Sequence, residues 1–124
     1  WDEIMRTLSG VVDIIAFQDG HLNLEDLPTF LAINRKLCER YGIQCWTNTE
    51  SFDRDMPIDF FPIKWDKLLQ KLEAAEMAGL TNAITFEFSH FMSPNSCYFQ
   101  AHGLYRRYCE RFGFRPDFRQ FGPL

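Results

Sequence analysis

The sequence predicts an α/β fold made of three consecutive β/α units whose strands run parallel. Three apolar runs, beginning near residues 11, 43 and 82, have the composition of buried strands. Segments with helical periodicity separate them, and no hairpin turn joins two of them, which favours right-handed crossovers between parallel strands. Each run ends in polar and acidic residues, namely Gln18-Asp19-Gly20, Thr47-Asn48-Thr49-Glu50 and Glu87-Phe88-Ser89-His90.

In chain order, one helix is predicted before the first strand and one after it. Residues 1–9 have the helical spacing of the end of a preceding helix. The next helix carries an apolar stripe from Leu27 to Tyr41 and begins after either Asn23 or Asp26. Gly42 ends it, as glycine commonly does just after a helix.

Two further helices follow the second and third strands. The first is predicted to open at Pro62 and to end before Gly79. The other is capped by Asn95 or Ser96 and stops at Gly113. Residues 51–61 and 114–124 lack a regular period, so we expect a loop and an irregular tail there.

Residues 1–124 are therefore predicted to form a single partial domain, a fragment of a β/α barrel. Three parallel strands leave both edges of a sheet open, and a closed barrel of eight units needs about 250 residues. We expect the open edge to be covered by the missing N-terminal part of the barrel or by another copy of the chain.

Composition excludes several classes of function. Thirteen phenylalanines in 124 residues indicate a packed core, and 13 basic against 17 acidic residues give a net charge of −4. No basic cluster exceeds Arg106-Arg107, so no nucleic-acid partner is expected. No apolar run approaches the roughly 20 residues that span a bilayer, so no membrane partner is expected either. The cellular location stays open, with a secreted or periplasmic protein among the options.

Four segments together resemble a known family: VDIIAFQDG at 12–20, LEDLP at 24–28, WTNTESF at 46–52 and ITFEFSHFMSP at 84–94. The sequence is similar, over about residues 10–110, to domain-of-unknown-function family 4434, a bacterial family with a glycoside-hydrolase-like TIM barrel. The resemblance implies that the three strands are barrel strands six, seven and eight. The chain then corresponds to the C-terminal part of that barrel only.

Glu50 is the first candidate catalytic residue. In related glycosidase barrels a glutamate at the end of the seventh strand is the nucleophile, so the resemblance implies that role here. Asn48 shares a strand face with Glu50 by the period-two rule and could orient the substrate or the carboxylate. The alternatives are a substrate contact without catalysis and a structural carboxylate.

Glu87 is the second candidate catalytic residue. If the third strand runs to Ser89, Thr85, Glu87 and Ser89 share its inner face. Partial desolvation there would raise the pKa of Glu87 and suit it to a general-acid role. Retaining glycosidases need carboxyl groups about 5–5.5 Å apart and inverting ones about 6.5–9.5 Å, between which the sequence cannot choose. The alternative is a glutamate hydrogen-bonded to a neighbouring strand.

The predicted substrate-binding residues surround these two carboxylates. Gln18 and Asp19 are adjacent, so at most one of them faces squarely inward, and Asp19 could instead cap its own turn. His90 could lean over the rim. Trp46 is in phase with Asn48, so its ring could stack on a sugar or belong to the core.

Three functions fit these residues. The leading hypothesis is a carbohydrate-active, glycoside-hydrolase-like domain that acts on a carbohydrate through strand-end carboxylates. A non-catalytic glycan-binding or degenerate barrel is the second. A metal-dependent sugar isomerase or epimerase is the third. Glu87-Phe88-Ser89-His90 has an E-x-x-H spacing, but no H-x-H pair occurs in the sequence, and no metal site and no cofactor are predicted.

Overall fold

The computed structural model describes residues 1–20, 22–55 and 59–118. Their elements alternate between helices and strands, in agreement with the predicted α/β class. In chain order they are α1 (Asp2–Leu8), β1 (Ile14–Gln18), α2 (Leu27–Tyr41), β2 (Gln44–Glu50), β3 (Phe52–Asp55), β4 (Asp59–Pro62), α3 (Trp65–Met77), β5 (Ala83–Phe86), α4 (Phe88–Phe91) and α5 (Phe99–Phe112).

The central sheet has the order β1-β2-β5, which is the sequential order that the sequence predicts. β1 pairs with β2 in parallel, in a register that places Ile14 opposite Gln44 and Gln18 opposite Asn48. At the other side of β2, the Thr47 amide donates to the carbonyl of Asn82 at 3.2 Å. Three parallel strands with helical connections are thus confirmed, whereas closure into a barrel stays a prediction.

One compact unit comprises residues 1–50 and 69–85. Its core is the helix-facing side of the sheet, where Phe17 packs with Met5, Cys38 and Ile43, and Ile15 lies against the same cluster. Because strand side chains alternate, Gln18 and its in-phase neighbours lie on the opposite face of the sheet.

The predicted ends of α2 are confirmed. Asp26 occupies the N-cap position, and Pro28 lies in the first turn, where its missing N–H costs no hydrogen bond. Gly42 adopts a φ of 67° and donates its amide to the carbonyl of Cys38. A left-handed residue at this position is the usual helix stop, and glycine adopts it without steric strain.

A second compact unit contains the described residues between 51 and 68 and from 86 onward. Here the prediction of an irregular loop at 51–61 is wrong, because β3 and β4 form an antiparallel hairpin with Phe52 opposite Pro62. Residues 56–58 lie outside the described part of the chain. Since Pro62 is paired in β4, α3 begins three residues later than predicted, at Trp65.

The start of α5 also differs from the prediction. Tyr98 is its N-cap, in place of Asn95 or Ser96. Ser96 instead shapes the turn that precedes the helix, because its hydroxyl accepts the Tyr98 amide at 3.0 Å. Gly113 ends the helix in a left-handed conformation, as predicted. Residues 114–118 of the tail are irregular, and 119–124 lie outside the described residues.

Candidate functional site

Glu50 and Gln18 meet at the carboxyl ends of the two neighbouring strands β1 and β2. The Glu50 side chain is only 2% exposed. Its Oε1 accepts a hydrogen bond of 2.7 Å from Nε2 of Gln18, which ends β1. A hydrogen bond to an ionised carboxylate is stronger than one between neutral groups and fixes its orientation. The structure thus brings together these two residues of the predicted site.

Trp46 and Asn48 share this face of the sheet with Glu50, because residues 46, 48 and 50 alternate in phase along β2. Both side chains are half-buried. Trp46 Nε1 and Asn48 Oδ1 are buried atoms for which the described part of the protein supplies no hydrogen-bond partner. Buried polar atoms without a partner are uncommon, and a substrate contact by these two residues stays a prediction.

Asp19 is buried beside Glu50 and is held by the protein on both carboxylate oxygens. Its Oδ1 accepts the Glu50 amide at 3.0 Å, and its Oδ2 lies 2.9 Å from Nζ of Lys71. The Asp19 amide also donates to the carbonyl of Asn48 at 3.2 Å. Its side chain therefore supports β2.

Lys71 is the residue that the sequence reasoning missed. It lies on α3 and is only 6% exposed, which is rare for a lysine unless it is paired. A signal was present in the sequence, since Lys71 falls three residues after Leu68 and four before Ala75 on the apolar stripe of the helix. A charged residue within such a stripe indicates a buried partner.

Glu87 caps a short helix and does not lie on a strand. β5 ends at Phe86, and the Glu87 carboxylate accepts the amides of Ser89 at 3.1 Å and His90 at 2.9 Å at the start of α4. The prediction that the strand continues to Ser89, with Glu87 in phase on its inner face, is wrong. The reason is that a carboxylate satisfies the free N–H groups of a helix start.

The pKa of Glu87 is shifted opposite to the direction predicted. Its partial burial favours a higher pKa, but the hydrogen bonds from the His90 amide and ring, His90's charge and the Ser89 amide together hold it below its ordinary value of 4.5. Nδ1 of His90 contacts Glu87 Oε1 directly. Glu87 is therefore an anion at neutral pH, which does not favour a general acid, and its catalytic role stays a prediction.

Aromatic residues of the second unit form a cluster around Phe52. The ring centroid of Phe52 lies 5.3 Å from that of Phe60, 6.1 Å from Phe86 and 4.9 Å from Phe91. Phe91 also stacks on Tyr98 at 5.8 Å. Phe86 and Phe60 keep much of their surface exposed, so the cluster presents apolar ring surface of the kind that sugars stack against.

The two candidate carboxylates belong to different units. Glu50 is part of the unit formed by residues 1–50 and 69–85, and Glu87 is part of the other. Their action as a catalytic pair stays a prediction, as does a substrate contact by His90.

Two features of the described residues bear on the remaining classes of function. Within residues 1–20, 22–55 and 59–118, no three histidine, cysteine, aspartate or glutamate side chains come together as ligands for a metal ion. None of the helices in the same ranges is long and apolar enough to cross a bilayer.

Comparison with known proteins gives a family and a solved relative. The model of a family described as "Domain of unknown function (DUF4434)" matches residues 1–98, so the chain belongs to that family. The crystal structure of a putative alpha-L-fucosidase from Bacteroides thetaiotaomicron VPI-5482 is 60% identical in sequence and superimposes with a TM-score of 0.87. The match covers 93% of this chain and 36% of the other, so the chain spans just over a third of that protein's length. No curated protein matches the sequence.

Proposed function

We propose that this chain is part of a glycoside-hydrolase-like β/α barrel that cleaves α-L-fucosides. The proposal is supported by the family membership and by the 60% identity to the fucosidase-like protein across almost the whole chain. The parallel order of β1, β2 and β5, with helices on the Phe17 side, agrees with a segment of barrel wall.

Glu50 is the proposed nucleophile, and its geometry is the observation that carries the proposal. Its carboxylate is at the end of a parallel strand, on the face opposite the helices, and Gln18 fixes its orientation. Sites in β/α barrels lie at this end of the strands. A retaining glycosidase uses such a carboxylate to attack the anomeric carbon and to stabilise the positive charge of the oxocarbenium-like transition state.

Glu87 has a different proposed role, because its lowered pKa leaves no proton to donate at neutral pH. We assign it to the start of α4, where its carboxylate accepts the amides of Ser89 and His90. The proton donor is then a carboxyl group on another strand of the barrel, outside this chain. Trp46 and Asn48, whose side chains are half-buried on the same face of β2 as Glu50, are the proposed contacts to the sugar that Glu50 attacks.

The test is the substitution Glu50→Gln in the full-length protein, assayed with 4-nitrophenyl α-L-fucopyranoside. Glutamine keeps the shape of the side chain and removes the charge that stabilises the transition state. We expect kcat to fall by about 10³-fold, equivalent to about 4 kcal/mol. Glu73→Gln on the exposed face of α3 is the matched control and should keep wild-type turnover.

Wild-type turnover by the Glu50→Gln protein would reject Glu50 as the nucleophile. A second variant, Glu50→Ala, identifies the role directly. Added azide can occupy the vacated space and attack the sugar, so a return of turnover with azide is expected of a nucleophile. A structural carboxylate gives no such rescue.

Glycan binding without catalysis is the second candidate. It is favoured by one observation, namely that the carboxylates of both Glu50 and Glu87 are already hydrogen-bonded within the protein. Calorimetry with L-fucose separates the two candidates, since a binding module would show saturable binding with no turnover of any fucoside.

The metal-dependent isomerase has a simpler test, because chelation with EDTA would abolish its activity.

A further inference from the structure

The main chain of Glu50 is held between two buried side chains of opposite charge. Asp19 Oδ1 accepts its amide at 3.0 Å, and Lys71 Nζ lies 3.4 Å from its carbonyl oxygen. The two charged groups are themselves joined at 2.9 Å. We call this arrangement the Asp19–Lys71 clamp. It reaches β2 from the end of β1 and from α3, so three elements of the unit converge on one residue.

Stability alone does not account for this clamp. Taking two charges out of water is costly, and a buried ion pair is often no more stabilising than apolar residues of the same volume. Asp19 and Lys71 are 3% and 6% exposed, so both carry nearly the full cost of desolvation. Their other bonds go to the amide and carbonyl of the residue whose carboxylate is the proposed nucleophile, which points to a role in fixing geometry.

We propose that Asp19 and Lys71 are positioning residues for Glu50. By fixing the main chain at both polar groups, they direct the side chain toward Gln18 on the opposite face of the sheet. Neither group faces the substrate in this assignment. The inference rests on the proposed role of Glu50, because positioning matters for turnover only if the Glu50 carboxylate reacts.

Two double variants of the full-length protein separate positioning from charge pairing. Asp19→Asn/Lys71→Met and Asp19→Ala/Lys71→Met both remove the two charges, but only asparagine keeps an oxygen that accepts the Glu50 amide. Positioning predicts that kcat of the alanine double variant is about 10- to 100-fold below that of the asparagine one, with KM unchanged within a factor of about two. Equal kcat values in the two folded proteins would overturn the proposal.

Hydrogen exchange at the Glu50 amide gives a readout that does not depend on activity. Loss of one ordinary hydrogen bond predicts exchange that is roughly 2- to 10-fold faster in the alanine double variant than in the asparagine one. If the wild-type protein turns over no fucoside, the proposed function fails, and exchange still decides the clamp. Unchanged exchange would overturn it.

A third double variant guards against a failure to fold. If Asp19→Ala/Lys71→Met does not fold, Asp19→Asn/Lys71→Gln is compared with Asp19→Asn/Lys71→Met, because both lack the two charges and only glutamine keeps a donor for the Glu50 carbonyl. Higher kcat in the glutamine variant is expected. Equal kcat in both would contradict the proposal.

Discussion

Removal of the Lys71 charge alone should destabilise the protein more than removal of the whole Asp19–Lys71 pair. Lys71→Met leaves the Asp19 carboxylate buried with no cation beside its Oδ2. At a separation of 2.9 Å the attraction lost is about 6 kcal/mol for an effective dielectric constant near 20, before any desolvation is counted. Breaking a buried pair at one partner costs about 3–5 kcal/mol in measured cases, and we expect that loss here.

Asp19→Asn/Lys71→Met should recover most of this loss. Asparagine keeps the acceptor for the Glu50 amide, and no lone charge is left in the interior. We expect the double variant to lie within about 1–2 kcal/mol of the wild type. Urea unfolding of the full-length protein, followed by tryptophan fluorescence, measures both free energies of unfolding.

The control uses the same substitution on the same helix. Lys67 pairs with Asp53, but its side chain is 39% exposed, so water screens the pair. Lys67→Met should therefore cost less than about 1 kcal/mol. Equal losses for Lys67→Met and Lys71→Met would refute the reasoning, because burial would then add nothing to the cost of leaving a charge unpaired.

Three further predictions concern the helices. Gly42→Ala should destabilise the protein by about 1 kcal/mol, because Gly42 has a φ of 67° that alanine adopts only with strain. Gly103 lies in the interior of α5 with open space where a Cβ would be added, so Gly103→Ala should stabilise the protein by about 0.5–1 kcal/mol. Thermal unfolding measures both changes. The Glu87–His90 contact should make the stability of α4 depend on pH. Because the pKa of Glu87 is below 4.5, its contribution is complete above that pH and is lost as the pH falls through the lowered value, and His90→Ala should raise that pKa in an NMR titration.

The sheet could be predicted because its strands are short apolar runs separated by segments with helical periodicity. Ile15 and Phe17 are apolar on the helix side, and the separation of β1 from β2 leaves room for α2, so a parallel crossover was the natural solution. The stop at Gly42 was equally clear, because a glycine after an apolar stripe has a specific conformational reason.

The hairpin of β3 and β4 was missed for a physical reason. Its segment contains several aspartates and Pro62, which are all depleted in strands, so its composition is that of a loop. Phe52 favours the hairpin over a loop, because its ring packs with Phe60 across the hairpin and with Phe91. Tertiary packing of aromatic rings therefore outweighs local propensity here, and no pattern within the segment itself reveals it.

Glu87 shows how the same period-two rule can mislead. The pattern of Thr85, Glu87 and Ser89 alternates as a strand should, yet a glutamate two and three residues before free N–H groups is also a helix cap. The local hydrogen bonds to Ser89 and His90 decide in favour of the cap. Two interpretations of one pattern were available, and only the second pairs the Glu87 carboxylate with the Ser89 and His90 amides.

The alternation of side chains along β1 explains why the adjacent residues Gln18 and Asp19 have separate roles. Gln18 follows Ala16 in phase and reaches the face where it binds Glu50, whereas Asp19 follows Phe17 and turns to the helix side. A carboxylate on that side is buried, so it requires a cation, and α3 supplies Lys71. Gln18 and Asp19 therefore bind different groups of Glu50. Gln18 donates to its carboxylate on one face of the sheet, and Asp19 accepts its amide from the helix side.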